Sequence, residues 1–317
     1  MNQPEFIHGI HQLRAFGSRC KNGCGLTLGS FDGVHRGHQA LLKALIKESQ
    51  KRGLPSVVMF FEPLPREYFA ADNAPARLSS LREKVGMLFA HGVDVVVCLK
   101  FNHWLRGLSA AQFVEQLLVD AMNIKHLVLG DDFRFGCDRK GDLAMLQTSG
   151  KQWGFTTSDT PTQQLAGERI SSTRIRSLLQ QNRFAAASEL LSYDYAMTGR
   201  VIYGNQLGRQ LGFPTANLNL GKRKTPIQGV FAVDVTFDGK AYPAVANIGV
   251  RPTVTGSIKP LLETHLLNFS GDLYGRRIAV TFRHKIRREM RFESYDALKK
   301  QVFADIEQAK NFFQKHH

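Results

Sequence analysis

The sequence predicts two domains of different class: an α/β domain with a parallel sheet over residues 1–185, and an antiparallel β-barrel with a terminal helix over residues 186–317. Three observations predict it. The 317 residues exceed what one domain of about 150 residues holds. In the first part, short β-branched runs alternate with segments of helical period, the pattern of parallel strands joined by crossover helices. From about Thr198 the period changes, and short strand candidates follow one another with only Gly and Pro between them.

Leu26-Thr27-Leu28 reads as the first strand, and His38 to Arg52 as a helix with apolar residues at 41, 42, 45 and 46. Val57 to Phe61 is a second strand ending in a Pro63/Pro65 turn, and a helix over Leu81 to His91 leads to a third strand, Val93 to Val97. Ser109 caps a helix reaching Met122, and His126 to Leu129 is a buried strand that stops at Gly130. A helical stretch, Thr173 to Leu191, links the two domains. Barrel strands are expected at Gly199–Tyr203, Val230–Phe237, Tyr242–Ile248, Leu261–Phe269 and Arg277–His284, with the terminal helix over Ser294–Phe313.

Composition is that of an ordinary soluble protein, 43% apolar and 22% charged, which excludes a disordered or fibrous chain. No run approaches the roughly 18 to 20 apolar residues of a membrane helix. The first thirty residues hold Arg14, Arg19 and Lys21 but no long apolar run, so no signal peptide is expected. Four irregularly spaced cysteines (20, 24, 98 and 137) point to a reducing compartment, and cytoplasm is the expected location. The net charge of +15 is spread over both parts, +7 up to residue 185 and +8 beyond it, so it is not an appended basic tail. Only 222–224 and Arg283–Arg291 are dense. Charge alone leaves nucleic acid, phosphorylated metabolites and a plain solvated surface all open.

The densest local signal is Gly29-Ser30-Phe31-Asp32-Gly33-Val34-His35-Arg36-Gly37-His38, set between the first strand and first helix. Glycines let the backbone approach a ligand closely. A helix start offers unpaired N–H groups and partial positive charge to an anion. Imidazoles at i and i+3 can both face that anion and donate to it. Taken alone, the histidine pair also fits a surface turn, or a metal site lacking a clear third ligand.

With the strand-to-helix context, the segment resembles the nucleotidyltransferase superfamily marked by His-x-Gly-His, which also includes class I aminoacyl-tRNA synthetases. The full run Gly29–Gln39 is most similar to bacterial FAD synthetases. Gly130-Asp131-Asp132-Phe133-Arg134-Phe135-Gly136 resembles that family's Gly-x-Asp/Asn-Phe-x-Phe-Gly motif, and Ile170-Ser171-Ser172-Thr173-Arg174-Ile175-Arg176 its Ser-Ser-Thr-x-Ile-Arg segment. The resemblance implies a Rossmann-like nucleotidyltransferase domain. In it His35 and His38 are catalytic, and Gly29, Phe31, Asp32, Gly33, Gly37, Ser171, Ser172, Thr173, Arg174 and Arg176 hold ATP phosphates. It also places Asp132, Phe133 and Phe135 at the flavin. One departure stands out: the family's usual Pro-His-Pro is Pro63-Leu64-Pro65 here, which removes an imidazole donor.

The second part has no Gly-x-x-x-x-Gly-Lys-Ser/Thr and is not a P-loop protein. It carries Gly208-Arg209-Gln210-Leu211-Gly212-Phe213-Pro214-Thr215-Ala216-Asn217, a rigid turn presenting a hydroxyl and an amide oxygen, hard donors that suit Mg²⁺. A hairpin turn with polar tips is the competing reading. This stretch resembles riboflavin kinases, and the resemblance continues through Gly229-Val230-Phe231, Asn247 to Thr253, Glu263 to Leu267, Asp272 to Gly275 and Ile286 to Phe292. It implies Gly208, Gly212 and Pro214 at the nucleotide, Thr215 and Asn217 at nucleotide and Mg²⁺, Glu263 as catalytic base, and Asn247 and Arg287 at the flavin.

Together the resemblances span about residues 23 to 313. They imply a bifunctional flavin enzyme that phosphorylates riboflavin to FMN with MgATP and then adenylylates FMN to FAD. The expected partners are ATP, riboflavin and FMN, with no nucleic acid and no membrane. The oligomeric state is open, a monomer included. An RNA-binding protein that has kept a nucleotidyltransferase-like domain is the alternative from another class.

Overall fold

The computed structural model describes residues 3–70, 73–204, 208, 211–221, 224–252 and 258–316. Residues 209, 210 and 253 of the motifs above, and 222 and 223 of the basic run, lie outside them. The chain forms two compact units, Met1–Pro75 with Ser79–Ser172, and Ala76–Leu78 with Thr173–His317.

The first unit is an α/β sandwich. Its elements are β1 (Glu5–His8), α1 (Ile10–Arg19), β2 (Cys24–Leu28), α2 (Arg36–Lys51), β3 (Ser56–Glu62), α3 (Pro65–Phe69), α4 (Leu81–Ala90), β4 (Val95–Lys100), α5 (His103–Gly107), α6 (Ala110–Gln112, continuing as π-helix over Phe113–Asp120), β5 (Ile124–Gly130), α7 (Leu143–Trp153), β6 (Thr156–Thr160) and the small ribbon β7 (Gln164–Leu165) and β8 (Glu168–Arg169). Six strands pair in parallel in the order β1-β4-β3-β2-β5-β6. Both faces are covered, as a parallel sheet requires. Val57, Met59, Val95, Val97 and Leu99 pack into one core. Their alternating neighbours Val58, Phe60, Val96 and Cys98 pack into the other, against α2 and α4. The chain runs from β2 to β3 on one side, while β5 pairs with β2 on the other, so the strand order reverses at β2/β5. A ligand crevice belongs beyond the carboxyl ends of those two strands.

The second unit opens with α8 (Ser172–Gln180) and α9 (Phe184–Leu191), so the single helical stretch expected over Thr173–Leu191 is two helices. The chain turns between them with Asn182 at φ +60°, a left-handed conformation that asparagine tolerates and that stops a helix. Six antiparallel strands follow and close into a barrel: β9 (Ala196–Ile202), β10 (Ala216–Asn219), β11 (Gly229–Phe237), β12 (Lys240–Pro252), β13 (Ile258–Leu266) and β14 (Arg277–Arg287), in the order β10-β13-β12-β11-β14-β9. The terminal helix α10 (Tyr295–His316) completes it. Alternation along the strands divides the barrel wall. Phe231 and Phe282 meet Phe184 of α9, whereas Val230, Ala232 and Val245 pack with Ile306, Ala309 and Phe313 of α10. No helix among the described residues is long and apolar enough to cross a membrane.

Candidate active sites

In the first unit, the turn from β2 into α2 is held in an unusual backbone. Phe31, Gly33 and Val34 all have positive φ (48°, 78° and 34°), a conformation that costs free energy for Phe and Val and persists only when its surroundings enforce it. The enforcing contacts are visible. Phe31 and Val34 are fully buried. The buried Asp32 carboxylate accepts from Ser79 N (3.0 Å) and Ser79 Oγ (3.3 Å), and Ser79 Oγ accepts from Gly33 N (3.1 Å). Asp32 therefore shapes the turn from behind. Ser79 was not foreseen, because it is 47 residues away in sequence.

His35 caps α2: its Nδ1 accepts from His38 N at 3.4 Å, which leaves Nε2 to carry the proton and donate. The His35 and His38 rings stack with centroids 3.7 Å apart and planes 17° apart, and Phe31 lies 5.0 Å from His38. Burial, then the neighbouring His35 and Lys84 charges, hold the His38 imidazole well below its ordinary pKa. Its Nδ1 is buried without a hydrogen-bond partner among the described residues. Gly37 leaves room for this: a Cβ there would lie 3.2 Å from the His35 ring. A Cβ at Gly29 would likewise lie 3.1 Å from the Phe31 ring.

At the end of β5, Asp132 pairs with Arg169 at 2.6 Å, and Asp131 accepts from Thr162. Phe133 and Phe135 stack at 5.8 Å. Phe135 is buried and packs on Phe113 at 5.4 Å, so it supports the loop from the core, while Phe133 is only partly buried. Leu64 is a buried apolar residue whose N–H donates to Glu67. Beside it, Phe101 meets Tyr68 and Phe69 edge-on and Phe61 at a tilt, with Phe69 60% exposed, an aromatic platform the sequence reading passed over. Ser172 Oγ donates to Asp32 O at 3.0 Å, placing Ser172 at the turn. Thr173, Arg174 and Arg176 belong by packing to the second unit, where Arg176 Nε donates to Ala76 O. Among the described residues no group of three or more His, Cys, Asp or Glu could hold a metal ion, so the metal reading of the histidine pair finds no further ligands.

The second unit carries a cavity of about 230 Å³ under α10, lined by Gly208, Thr215, Asn217, Asn247, Glu263 and Arg287 together with apolar residues from the barrel and α10. Six of the expected residues are thus brought together. Cross-strand register explains how: Asn217 pairs with Glu263, Glu263 with Asn247, Asn247 with Val230, and Val230 with Arg287. Directly opposed residues on antiparallel strands project to the same side, so a single rung of the barrel supplies the cavity's polar floor. Asn247 Oδ1 is buried with no hydrogen-bond partner among the described residues. Pro214 is held by its carbonyl, which lies 2.9 Å from His265 Nδ1. The Gly208 carbonyl accepts from Phe213 N at 2.8 Å. Gly212 takes φ +94°.

Arg287 lines the cavity and is itself held by α10. Its Nε and Nη2 make a bidentate pair with the buried Asp305 of α10 (2.8–3.1 Å), and Nη1 donates to Arg288 O. Gln301 adds a third donor to Asp305. Arg287 therefore ties the rung to α10. Glu289 also lines the cavity, its pKa raised by burial, and its carboxylate lies so close over Gly249 that a Cβ there would collide with it.

Comparison with known proteins gives the family of both units. Family models described as FAD synthetase and riboflavin kinase match residues 17–174 and 191–313. Proteins named bifunctional riboflavin kinase/FMN adenylyltransferase are 49% identical in Pseudomonas fluorescens (96% of this chain, 97% of the relative) and 49% identical in Escherichia coli K12 (98% of each). A crystal structure from Streptococcus pneumoniae, described as a macrolide-efflux protein, superposes with a TM-score of 0.74 at 32% identity, covering 91% of this chain and 94% of that one.

Proposed function

The chain belongs to the bifunctional riboflavin kinase/FMN adenylyltransferase family and catalyses both steps from riboflavin to FAD; we propose the following assignment of its residues to those steps.

The barrel unit phosphorylates riboflavin. Glu263 accepts the proton of the ribityl hydroxyl as that oxygen attacks the γ-phosphorus of ATP, and ADP leaves. The observation that carries this is the rung Asn217–Glu263–Asn247, which puts one carboxylate between two amides in the cavity wall. Thr215 and Asn217 would hold Mg²⁺; hard oxygen donors at the cavity fit it, and the ion would supply positive charge to the phosphates. The unpartnered Asn247 Oδ1 accepts from the flavin. Arg287 supports the flavin side of the cavity while Asp305 fixes its direction.

The α/β unit adenylylates FMN. The FMN phosphate attacks the α-phosphorus of a second ATP, and pyrophosphate leaves. The His35–His38 stack at the head of α2 donates to the phosphates beside glycines 29, 33 and 37, with charge stabilisation as its main contribution. Ser171, Ser172, Thr173, Arg174 and Arg176 follow as outer-phosphate contacts. Phe133 and the exposed Phe69 platform give the isoalloxazine apolar faces. In this reading the boundary between activities is 185/186, while residues 173–185 pack with the second unit. The protein works in the cytoplasm on ATP, riboflavin and FMN.

The test is a chromatographic time course of the purified chain with riboflavin, excess ATP and Mg²⁺. FMN should rise first and then convert to FAD, and His38→Ala should halt the sequence at FMN. FAD formation undiminished in that variant would remove His38 from the scheme.

A further inference from the structure

Ser79 has no part in that scheme, yet the histidine turn is tied to it. It lies in the loop before α4 and is 2% exposed. Its neighbour Ser80 is the N-cap of α4: Ser80 Oγ accepts from Glu83 N at 3.2 Å, and Ser80 N donates to the Glu83 carboxylate. That reciprocal cap fixes the backbone next to Ser79 without help from the turn. Among the described residues the Ser79 N–H and hydroxyl make three hydrogen bonds, and all three end on Asp32 or Gly33.

We propose that Ser79 is a positioning residue for adenylyl transfer, whose hydroxyl bridges the Gly33 N–H and the Asp32 carboxylate and so holds the turn in the conformation that presents His35 and His38 to the phosphates. The inference rests on the assignment of that turn to the adenylyl site.

A hydroxyl can donate once while it accepts. Ser79 Oγ uses both capacities on consecutive residues, accepting from Gly33 N at 3.1 Å and donating to Asp32 Oδ1 at 3.3 Å. Ser79 N donates to the same carboxylate oxygen at 3.0 Å. The Asp32 main chain is held separately, its carbonyl accepting from Ser172 Oγ at 3.0 Å. Two segments far apart in sequence thus grip one residue, at its carboxylate and at its carbonyl. The grip falls where the backbone is least relaxed, since Phe31, Gly33 and Val34 around it all have positive φ. Burial holds the Phe31 and Val34 side chains but does not by itself orient the polar peptide between them. Gly33 lies two residues before His35, the N-cap of α2, so rotating the Asp32–Gly33 peptide would move the head of that helix and the imidazoles stacked there. A misplacement of about 1 Å can cost about 10²-fold in rate. The charge that the histidines stabilise develops in the transition state, so the cost falls on kcat more than on KM.

The experiment uses the full-length chain and three variants, Ser79→Ala, Ser79→Cys and His38→Ala. The readouts are kcat and KM for FMN adenylylation, the Gly33 amide resonance by NMR, urea unfolding of the first unit, and riboflavin phosphorylation as an internal check on the other unit. Ser79→Ala should lower kcat for adenylylation by about 10- to 100-fold, with the KM values for ATP and FMN staying within about threefold. The Gly33 resonance should shift and riboflavin phosphorylation should be kept. Ser79→Cys fills the space of the hydroxyl but hydrogen-bonds only weakly, so it should follow Ser79→Ala, a prediction that stands even if the alanine variant does not fold. A kcat within about twofold of the unmutated chain in either folded variant overturns the inference, as does a loss confined to KM. Failure of both variants to fold assigns Ser79 to stability alone and overturns it too. Full adenylylation by His38→Ala instead sinks the site assignment, a distinguishable failure.

Discussion

Asn217 and Glu263 face each other across β10 and β13, and the next pairing along the same rung sets Glu263 opposite Asn247 on β12. Three polar side chains from three strands thus meet at one level of the barrel. The arrangement predicts separable chemistry. Glu263→Gln should lower riboflavin phosphorylation by about 10²- to 10⁴-fold, the usual worth of a general base. The same variant should still convert supplied FMN to FAD. Product chromatography with each substrate checks it, and normal FMN formation would exclude Glu263 as the base.

The Arg287–Asp305 pair predicts a stability effect at a distance from the chemistry. With side chains 17% and 2% exposed, the two charges are largely desolvated, and removing one leaves the other uncompensated. Asp305→Ala should destabilise the barrel unit by about 3–5 kcal/mol and loosen α10 over the cavity, raising the KM for riboflavin. Denaturation followed by far-UV circular dichroism measures the first effect and kinase kinetics the second. Adenylylation of supplied FMN should be kept.

Most of what positions these sites was legible in the sequence, for physical reasons that also explain the gaps. Val57–Phe61 announces itself because a central strand buried on both faces needs an unbroken apolar run, and Val230–Phe237 because apolar and β-branched residues fill it apart from Asp234. β6, Thr-Thr-Ser-Asp-Thr, is a polar edge strand without alternation, and β10 alternates but over only four residues directly after a Pro-Thr turn, too short to stand out. The motif residues Asn217, Asn247, Glu263 and Arg287 were found, but their common rung follows from strand pairing that one sequence does not display. Ser79 and Asp305 escaped notice altogether. Each acts through a partner distant in the chain, and each alone looks like an ordinary helix or loop residue.

Gly229 tests the rung through its backbone. It begins β11 at φ +118°, and a Cβ there would strike the Arg287 carbonyl, which a flexible side chain could evade but backbone cannot. Gly229→Ala should therefore strain the β11–β14 pairing by about 1–3 kcal/mol and impair the kinase. A thermal shift paired with kinase assay decides it. Gly249→Ala is the contrasting case: its Cβ would meet the end of the movable Glu289 side chain. It should alter riboflavin affinity with little loss of stability.

The histidines of the first unit predict a pH dependence whose sign can be fixed. His38 and His126 both have folded-state pKa values below the ordinary 6.5, chiefly through burial, and His126 is further held between Thr156 Oγ1 (2.7 Å) and Ser158 Oγ (3.1 Å). Between the folded and unfolded pKa values, the unfolded chain binds protons that the folded unit refuses, so stability falls as pH falls below about 6.5. The slope approaches at most about 1.4 kcal/mol per pH unit for each such histidine. Above that pH both states are neutral there and the contribution vanishes. Trp104 and Trp153, the chain's two tryptophans, both lie in this unit, so their fluorescence during urea unfolding reports it selectively. Unfolding at pH 7.5, 6.5 and 5.5 should show a midpoint that is flat in the upper interval and declines in the lower. His126→Asn and His38→Gln should each reduce that decline. A midpoint that rises on acidification would mean that these rings are charged in the folded protein, and the neutral-donor account of His38 would fail with it.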